Sequence, residues 1–333
     1  MPSKKNSLLY ITGLFLFTLP FFATAQGITS NEISTFEKSQ PFRTEDYATA
    51  QSVLPIVTSL SDSALDNKIQ LPTSTPVVKS VGSSKLQFTD SAVTTPTANT
   101  SYPFYAIGRL SFTKSNGSPG VCTASIIRRG LVLTAGHCVH SGNGSVSGYS
   151  YNFRFEPGYY KDTTPNGVWT EIEYRPFVAP DWYSGHSKPP HATDYAVIIF
   201  KEKIKGKRIG DHLTWLGYWE NHMVGHHVTV LGYPNNLDKG KILHRVDGTV
   251  VNGTGNMGEF GSNMGTGSDG APVIVNFGEY SEGDPAGGDY RNRVVSVVSY
   301  TPKATLMKQA GSKFDGQFST FINDICKLVP SAC

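Results

Sequence analysis

Charge is scarce in this chain. Acidic and basic residues make up only 17% of its 333 residues, roughly two-thirds of the usual share. The 29 Lys and Arg nearly balance the 26 Asp and Glu, leaving a formal charge of +3 with no long basic run, so nucleic acid is not implied as a partner. No apolar run reaches the roughly 20 residues that a membrane-spanning helix needs, and no period of about 20 to 50 residues marks a solenoid or propeller. Heptads and a Gly-x-y repeat are missing as well, which excludes coiled coil and collagen. Helical periodicity is rare, and there are only four cysteines. What remains has an ordinary apolar content, enough for a globular domain with a sizeable core.

The first residues carry an export signal. Lys4 and Lys5 precede an apolar run from Leu8 to Phe22, interrupted by Pro20, and then Ala23-Thr24-Ala25. A basic start, a short apolar stretch and a small-x-small site in that order define a signal peptide over residues 1–25, so the mature chain is expected to be secreted, extracellular or periplasmic, with no membrane association after cleavage. Outside the cytoplasm the four cysteines are expected to pair. Three connectivities are possible, and spacing favours Cys122 with Cys138 and Cys326 with Cys333.

Residues 26–101 are rich in Ser, Thr and Pro, with scattered apolar pairs such as Val53-Leu54 and Val77-Val78. Such a stretch buries little surface alone. It reads as a propeptide or a flexible linker, the propeptide being favoured ahead of one compact domain over 102–333. In that domain short β-type runs alternate with Gly, Pro, Asn and Ser clusters, the spacing of an antiparallel sandwich or barrel. The runs are 106–112, 122–127, 131–134, 150–155, 170–178, 195–200, 228–231, 242–251, 271–276 and 294–300. One helix is expected, over 316–328, where Phe318, Phe321, Ile322 and Ile325 recur at 3/4 spacing and form one apolar face.

Two stretches carry chemistry. Leu131-Val132-Leu133-Thr134-Ala135-Gly136-His137-Cys138 runs from an apolar strand into a small-residue turn that presents a histidine. A bridge from Cys138 to Cys122 would fix the imidazole, as a general base requires. Thr193-Asp194-Tyr195, before the apolar run 196–200, places an acid at a strand mouth, where it can orient a histidine tautomer and stabilise its cation. Taken singly, His137 reads as a structural histidine and Asp194 as a turn residue; together they read as a catalytic pair.

With these pieces the chain resembles the chymotrypsin-like (trypsin-like) serine proteases, and within them the bacterial glutamyl-endopeptidase-like branch. The supporting stretches are Tyr105 to Leu110, Val121 to Ser125, Thr134 to Cys138, Asp194 to Val197, Val230 to Pro234, Gly267 to Val273 and Val294 to Tyr300. The resemblance implies an all-β fold of two six-stranded antiparallel β-barrels closed by a C-terminal helix. It also implies an active site in the cleft between the barrels, a protein or peptide substrate or ligand, a monomer, and neither cofactor nor metal.

At the nucleophile the chain departs from the family. Where the pattern is Gly-x-Ser-Gly-(Gly/Ser/Ala)-Pro, the residues are Gly267-Ser268-Asp269-Gly270-Ala271-Pro272. In register, Asp269 takes the nucleophile position and Gly267 contributes to the oxyanion hole. A carboxylate there would pair with His137 and raise its pKa, and it is a poor nucleophile toward an amide because the product would be an anhydride. This reading predicts lost or reduced turnover. The alternative is an active enzyme using Ser268, which requires the turn to slip by one residue and the next strand to invert or bulge. Ser268 also stands where the family's zymogen switch needs an acid. Val298 takes the place of the glutamyl members' specificity histidine, with Ser299 beside it as a substrate-binding candidate. Asn263 and Met264 are expected to line a neutral pocket.

Other histidines carry less. His222 and His226 lie four apart, but His226 opens a strand and no HExxH pattern is present, so a metal site is not expected. His186 and His191 flank a Lys-Pro-Pro loop near Asp194 and could line the cleft. The aromatics of Tyr151 to Trp182 read as packing over the first barrel.

Overall fold

The structure, a computed structural model, describes residues 83–94, 99–185, 188–203, 206–278, 290–301 and 306–333. The expected export signal over 1–25, most of the Ser/Thr/Pro-rich stretch and His186 lie outside the described residues.

The chain joins the fold ahead of the compositional boundary at residue 101. Strand β1 (Phe88–Ala92) lies along an edge of a sheet formed mostly by the later half of the chain. Its three central residues are exposed and only Phe88 and Ala92 at its ends are partly buried, so backbone pairing, more than an apolar pattern, holds it in place.

The first half of the domain contains β2 (Ile107–Thr113), β3 (Pro119–Ile126), β4 (Leu131–Thr134), β5 (Tyr151–Pro157), β6 (Phe177–Val178) and β7 (Ala196–Ile199). They form one six-stranded antiparallel sheet in the order β5-β2-β3-β4-β7-β6. Short helices α1 (Gly136–Val139) and α2 (Pro180–Ser184) leave its rim, and α3 (Ile209–His212) leads to the second half. Only 177–178 of the expected strand 170–178 pairs as a strand. Pro176 lacks the N–H a ladder needs, and upstream contact consists of an isolated Ile172–Phe200 bridge and the bonds from Glu173 N to Ile199 O and from Lys201 N to Glu171 O.

The second half contains β8 (Gly217–Tyr218), β9 (His227–Gly232), β10 (His244–Thr249), β11 (Val251–Asn252), β12 (Met257–Gly261), β13 (Pro272–Val275), β14 (Arg293–Tyr300) and β15 (Lys308–Lys313). Their sheet has nine strands rather than six, ordered β1-β10-β9-β13-β14-β15-β12-β11, with β8 added in parallel beside β14. The extra strands are the N-terminal edge strand and two short pieces. Strands β12 and β15 lack apolar alternation; β14, whose residues 294–299 are all buried, supplies the edge on which β15 pairs, and β15 supplies the edge for β12.

Each half has its own core: Leu110, Ile126, Phe155 and Ile198 pack in the first, and Val230, Phe260, Val273 and Val298 in the second. A third cluster joins them. It includes Trp182 and Tyr195 from the first half, Leu231, Tyr233 and Val297 from the second, and Phe318 and Ile322 from helix α4 (Gly316–Leu328). The expected helix therefore appears with its expected bounds, capped by Asp315, whose side chain accepts from the Gln317 and Phe318 amides. The result is a mostly β, chymotrypsin-like fold of two curled sheets and a C-terminal helix. Among the described residues no helix is long and apolar enough to cross a membrane.

Candidate functional site

The site lies where the halves meet. Buried strand β4 delivers His137 on α1, and the Cys122–Cys138 bridge ties that turn to β3. The second expected bridge, Cys326–Cys333, is also present. Asp194, fully buried just before β7, accepts from the His137 amide at 2.7 Å through Oδ1 and lies 2.7 Å from His137 Nδ1 through Oδ2. Two bonds to one carboxylate fix both the backbone and the ring of the histidine. The carboxylate is anchored in turn by Ser299 Oγ, which donates to Asp194 Oδ2 at 2.6 Å from β14.

That contact revises the role expected for Ser299. It is fully buried and reaches the site through Asp194, so it is a positioning residue rather than a substrate contact. A buried serine in a run of valines needs a polar partner, which is the one signal in the sequence that pointed this way.

Three hydrogen bonds pin the turn before β13. Thr123 N donates to Asp269 O at 2.8 Å, Thr123 Oγ1 to Gly267 O at 2.8 Å, and Gly270 N to Val298 O at 2.7 Å. Glycine is required at two of these places. Gly267 has φ +95° and Gly270 φ +81°, and a Cβ on Gly270 would stand 2.3 Å from Thr134 Oγ1. In this register Asp269 faces the histidine, with Oδ2 4.0 Å from His137 Nε2. Ser268 points the other way. It is fully buried, its Oγ donates to Gly265 O at 2.7 Å, and Gln309 Nε2 donates to it at 2.8 Å. The structure thus brings His137, Asp194 and Asp269 together and leaves Ser268 out. The slip needed to reverse this would break every one of these bonds.

Electrostatics follow from the geometry. Burial pulls the His137 pKa down, but the charge and hydrogen bond of Asp194, with a smaller contribution from Asp269, outweigh it and raise the pKa to about 9. His137 is therefore a cation at neutral pH. The Asp269 carboxyl is raised from its ordinary value, chiefly by burial, with the His137 cation opposing the shift. Its own backbone amide also donates to it. The two side chains are 24% and 16% exposed, so the cleft stays open to small reagents. Lys114, next to the end of β2, acts on both groups through its charge. No motif marked it, and only the fold brings it near. Trp182 was likewise missed as a site residue; its ring lies 6.2 Å from that of His137.

The pocket candidates separate. Met264 is buried in the second core and presents no lining surface, because its side chain packs with Val230 and Ala271. Asn263 is half-buried; its carbonyl accepts from Asn236 Nδ2, while its side-chain Oδ1 is buried without a hydrogen-bond partner among the described residues. His191 lies near the site, its amide donating to Ser299 Oγ at 3.3 Å. His222 stacks on Trp219 at 3.6 Å. Among the described residues, Cys122, His137 and Cys138 lie close enough to hold a metal, but both sulfurs are consumed in the disulfide.

The family model for trypsin matches residues 94–267. The chain belongs to the trypsin family. That match takes in His137 and Asp194 and stops short of Ser268 and Asp269. Solved structures agree on the fold. One is a thermostable serine protease, AL20, from an extremophilic microorganism, at 25% identity and TM-score 0.57, covering 67% of this chain and 98% of that one. Another is the protease Anisep from Arthrobacter nicotinovorans, at 24% identity and TM-score 0.57, covering 71% and 98%. A Glu endopeptidase is similar at 20% identity and TM-score 0.53, covering 70% and 94%. No curated protein matches the chain. As a trypsin-family member the chain has a cleft of a kind that acts on proteins.

Proposed function

We propose that this trypsin-family chain is a secreted protein that holds a protein or peptide segment in its cleft with lost or strongly reduced turnover. The carrying observation is Asp269 Oδ2 standing 4.0 Å from His137 Nε2 while the Ser268 hydroxyl is bound to Gly265 and Gln309. Peptide hydrolysis in this family starts when a serine hydroxyl gives its proton to neutral imidazole as its oxygen attacks the carbonyl carbon. Here the imidazole carries its proton up to about pH 9, and an ionised Asp269 has no proton to give. Attack by the carboxylate would form a mixed anhydride, a higher-energy acyl donor than the amide consumed. The Asp269 side chain also stands against its own amide, one of the donors a substrate oxyanion would need.

Maturation fits the same reading. The export signal directs the chain out of the cytoplasm, and both cysteine pairs form bridges suited to that compartment. Because β1 is paired along β10, removal of a propeptide would occur ahead of Phe88 and leave the edge strand in place.

The test is labelling of the purified chain with a fluorophosphonate serine probe. The natural protein and its Ser268→Ala variant are expected to remain unlabelled, and Asp269→Ser to gain labelling that Asp269→Ser/His137→Ala loses. Labelling of the natural protein that disappears in Ser268→Ala would establish a displaced working nucleophile and overturn the proposal.

A further inference from the structure

A groove of about 430 Å³ runs between residues 177–181 and one side of α4, with Thr193 and Tyr195 in its wall. His137 and Asp269 do not line it, so it is separate from the cleft. Its size is that of a ligand site. Docking a surface helix on its own core needs one apolar stripe, yet α4 has more. Phe318 and Ile322 are buried in the core, while Phe321 and Leu328 face the groove and Leu328 is left 53% exposed. An apolar surface of this kind beside a concavity marks an interaction site.

Charge selects the occupant. Asp181 and Asp324 are both in the lining. The Tyr195 ring, 5.4 Å from that of Phe321, has its phenol pKa raised by burial first and then by the charges of Asp315 and Asp181. The wall thus combines aromatic faces with negative potential, the surroundings a cation on an apolar stem prefers. Lys327 pairs with Asp324 in an exposed contact, and such pairs are worth little. Lining positions on α4 run from Gly316 to Leu328, about 18 Å at the helical rise, which an extended segment of about five residues spans.

We infer that this groove binds an extended segment of a partner protein, about five residues long and mixing apolar with basic side chains. The apolar residues rest on Phe321 and Leu328, and the basic heads reach Asp181 and Asp324. This site does not depend on whether the His137 cleft turns over.

The test is fluorescence anisotropy of a fluorescein-labelled Leu-Lys-Phe-Lys-Leu amide titrated with the purified full chain. Saturable binding is expected, with at least tenfold weaker binding when glutamate replaces both lysines of the peptide. The same loss is expected in an Asp181→Asn/Asp324→Asn variant and in Leu328→Glu, whose substituted positions lie outside the cores, and Asp269→Asn is expected to bind as the natural chain does. Absence of saturable binding, equal binding of the acidic peptide, or unaltered binding by the groove variants would overturn the inference. So would loss in Asp269→Asn alone, which would put the peptide in the cleft. Self-association abolished by Leu328→Glu would identify a second copy as the occupant and overturn it equally.

Discussion

The two halves of the site have different completeness. The first half delivers His137 and Asp194 with the geometry a general base requires: a disulfide behind the imidazole, and two hydrogen bonds from one buried carboxylate, itself held by Ser299. The second half delivers a turn whose backbone is bonded at Gly267, Asp269 and Gly270 but whose presented side chain is a carboxylate. Backbone architecture and side-chain chemistry are thus separable in this fold. The turn's shape rests on glycines and main-chain bonds that do not involve the side chain at 269, so an aspartate can occupy that place without disturbing the scaffold.

The largest effect on stability is expected in the first half. Replacing Cys122 and Cys138 together by alanine opens a bridge with a sequence separation of 16, and a loop of that size predicts a loss of about 3 kcal/mol, read from denaturant unfolding. Next in size is Asp194→Asn. Burial already favours neutral His137, and Asp194 is the main group opposing it, so NMR titration of the variant should give a His137 pKa below the ordinary histidine value. From the second half the effect is smaller. Ser268→Ala removes one acceptor of Gln309 Nε2, which keeps its bond to Thr301 Oγ1, so a loss of about 1 kcal/mol is expected. The His137 titration should stay unchanged, because Ser268 does not face it. A shift of that titration in Ser268→Ala would show that the two halves are coupled through the serine.

Much of this arrangement was legible before any coordinates. The run into Gly136-His137-Cys138 couples strand, turn and bridge in consecutive residues, and the helix over 316–328 is set by its apolar spacing. Strands β12 and β15 were not legible, because their sequences lack alternating apolar residues and become strands only by pairing, β15 against the edge of β14 and β12 against that of β15. Edge strand β1 was hidden by its Ser/Thr-rich surroundings for the same reason. The roles of Ser299 and Lys114 depend on contacts between distant segments. Ser299 lies 105 positions from Asp194, a pairing that local pattern does not encode. Met264 was misread because a position close to the turn in sequence packs inward, into the second core.

The central claim is that Asp269 and Asp194 together hold His137 as a cation, so that the cleft lacks a base at neutral pH. A pKa raised from 6.5 to about 9 means that the ion pairs contribute stability in full below about pH 6.5 and lose it as pH rises through about 9. The most direct measurement is the pH titration of the His137 ring by NMR in the natural protein and in Asp269→Asn. The account predicts a midpoint near 9 in the natural protein and a lower one in the variant, with the fall smaller than in Asp194→Asn. A midpoint near the ordinary histidine value in the natural protein, unmoved by Asp269→Asn, would contradict it.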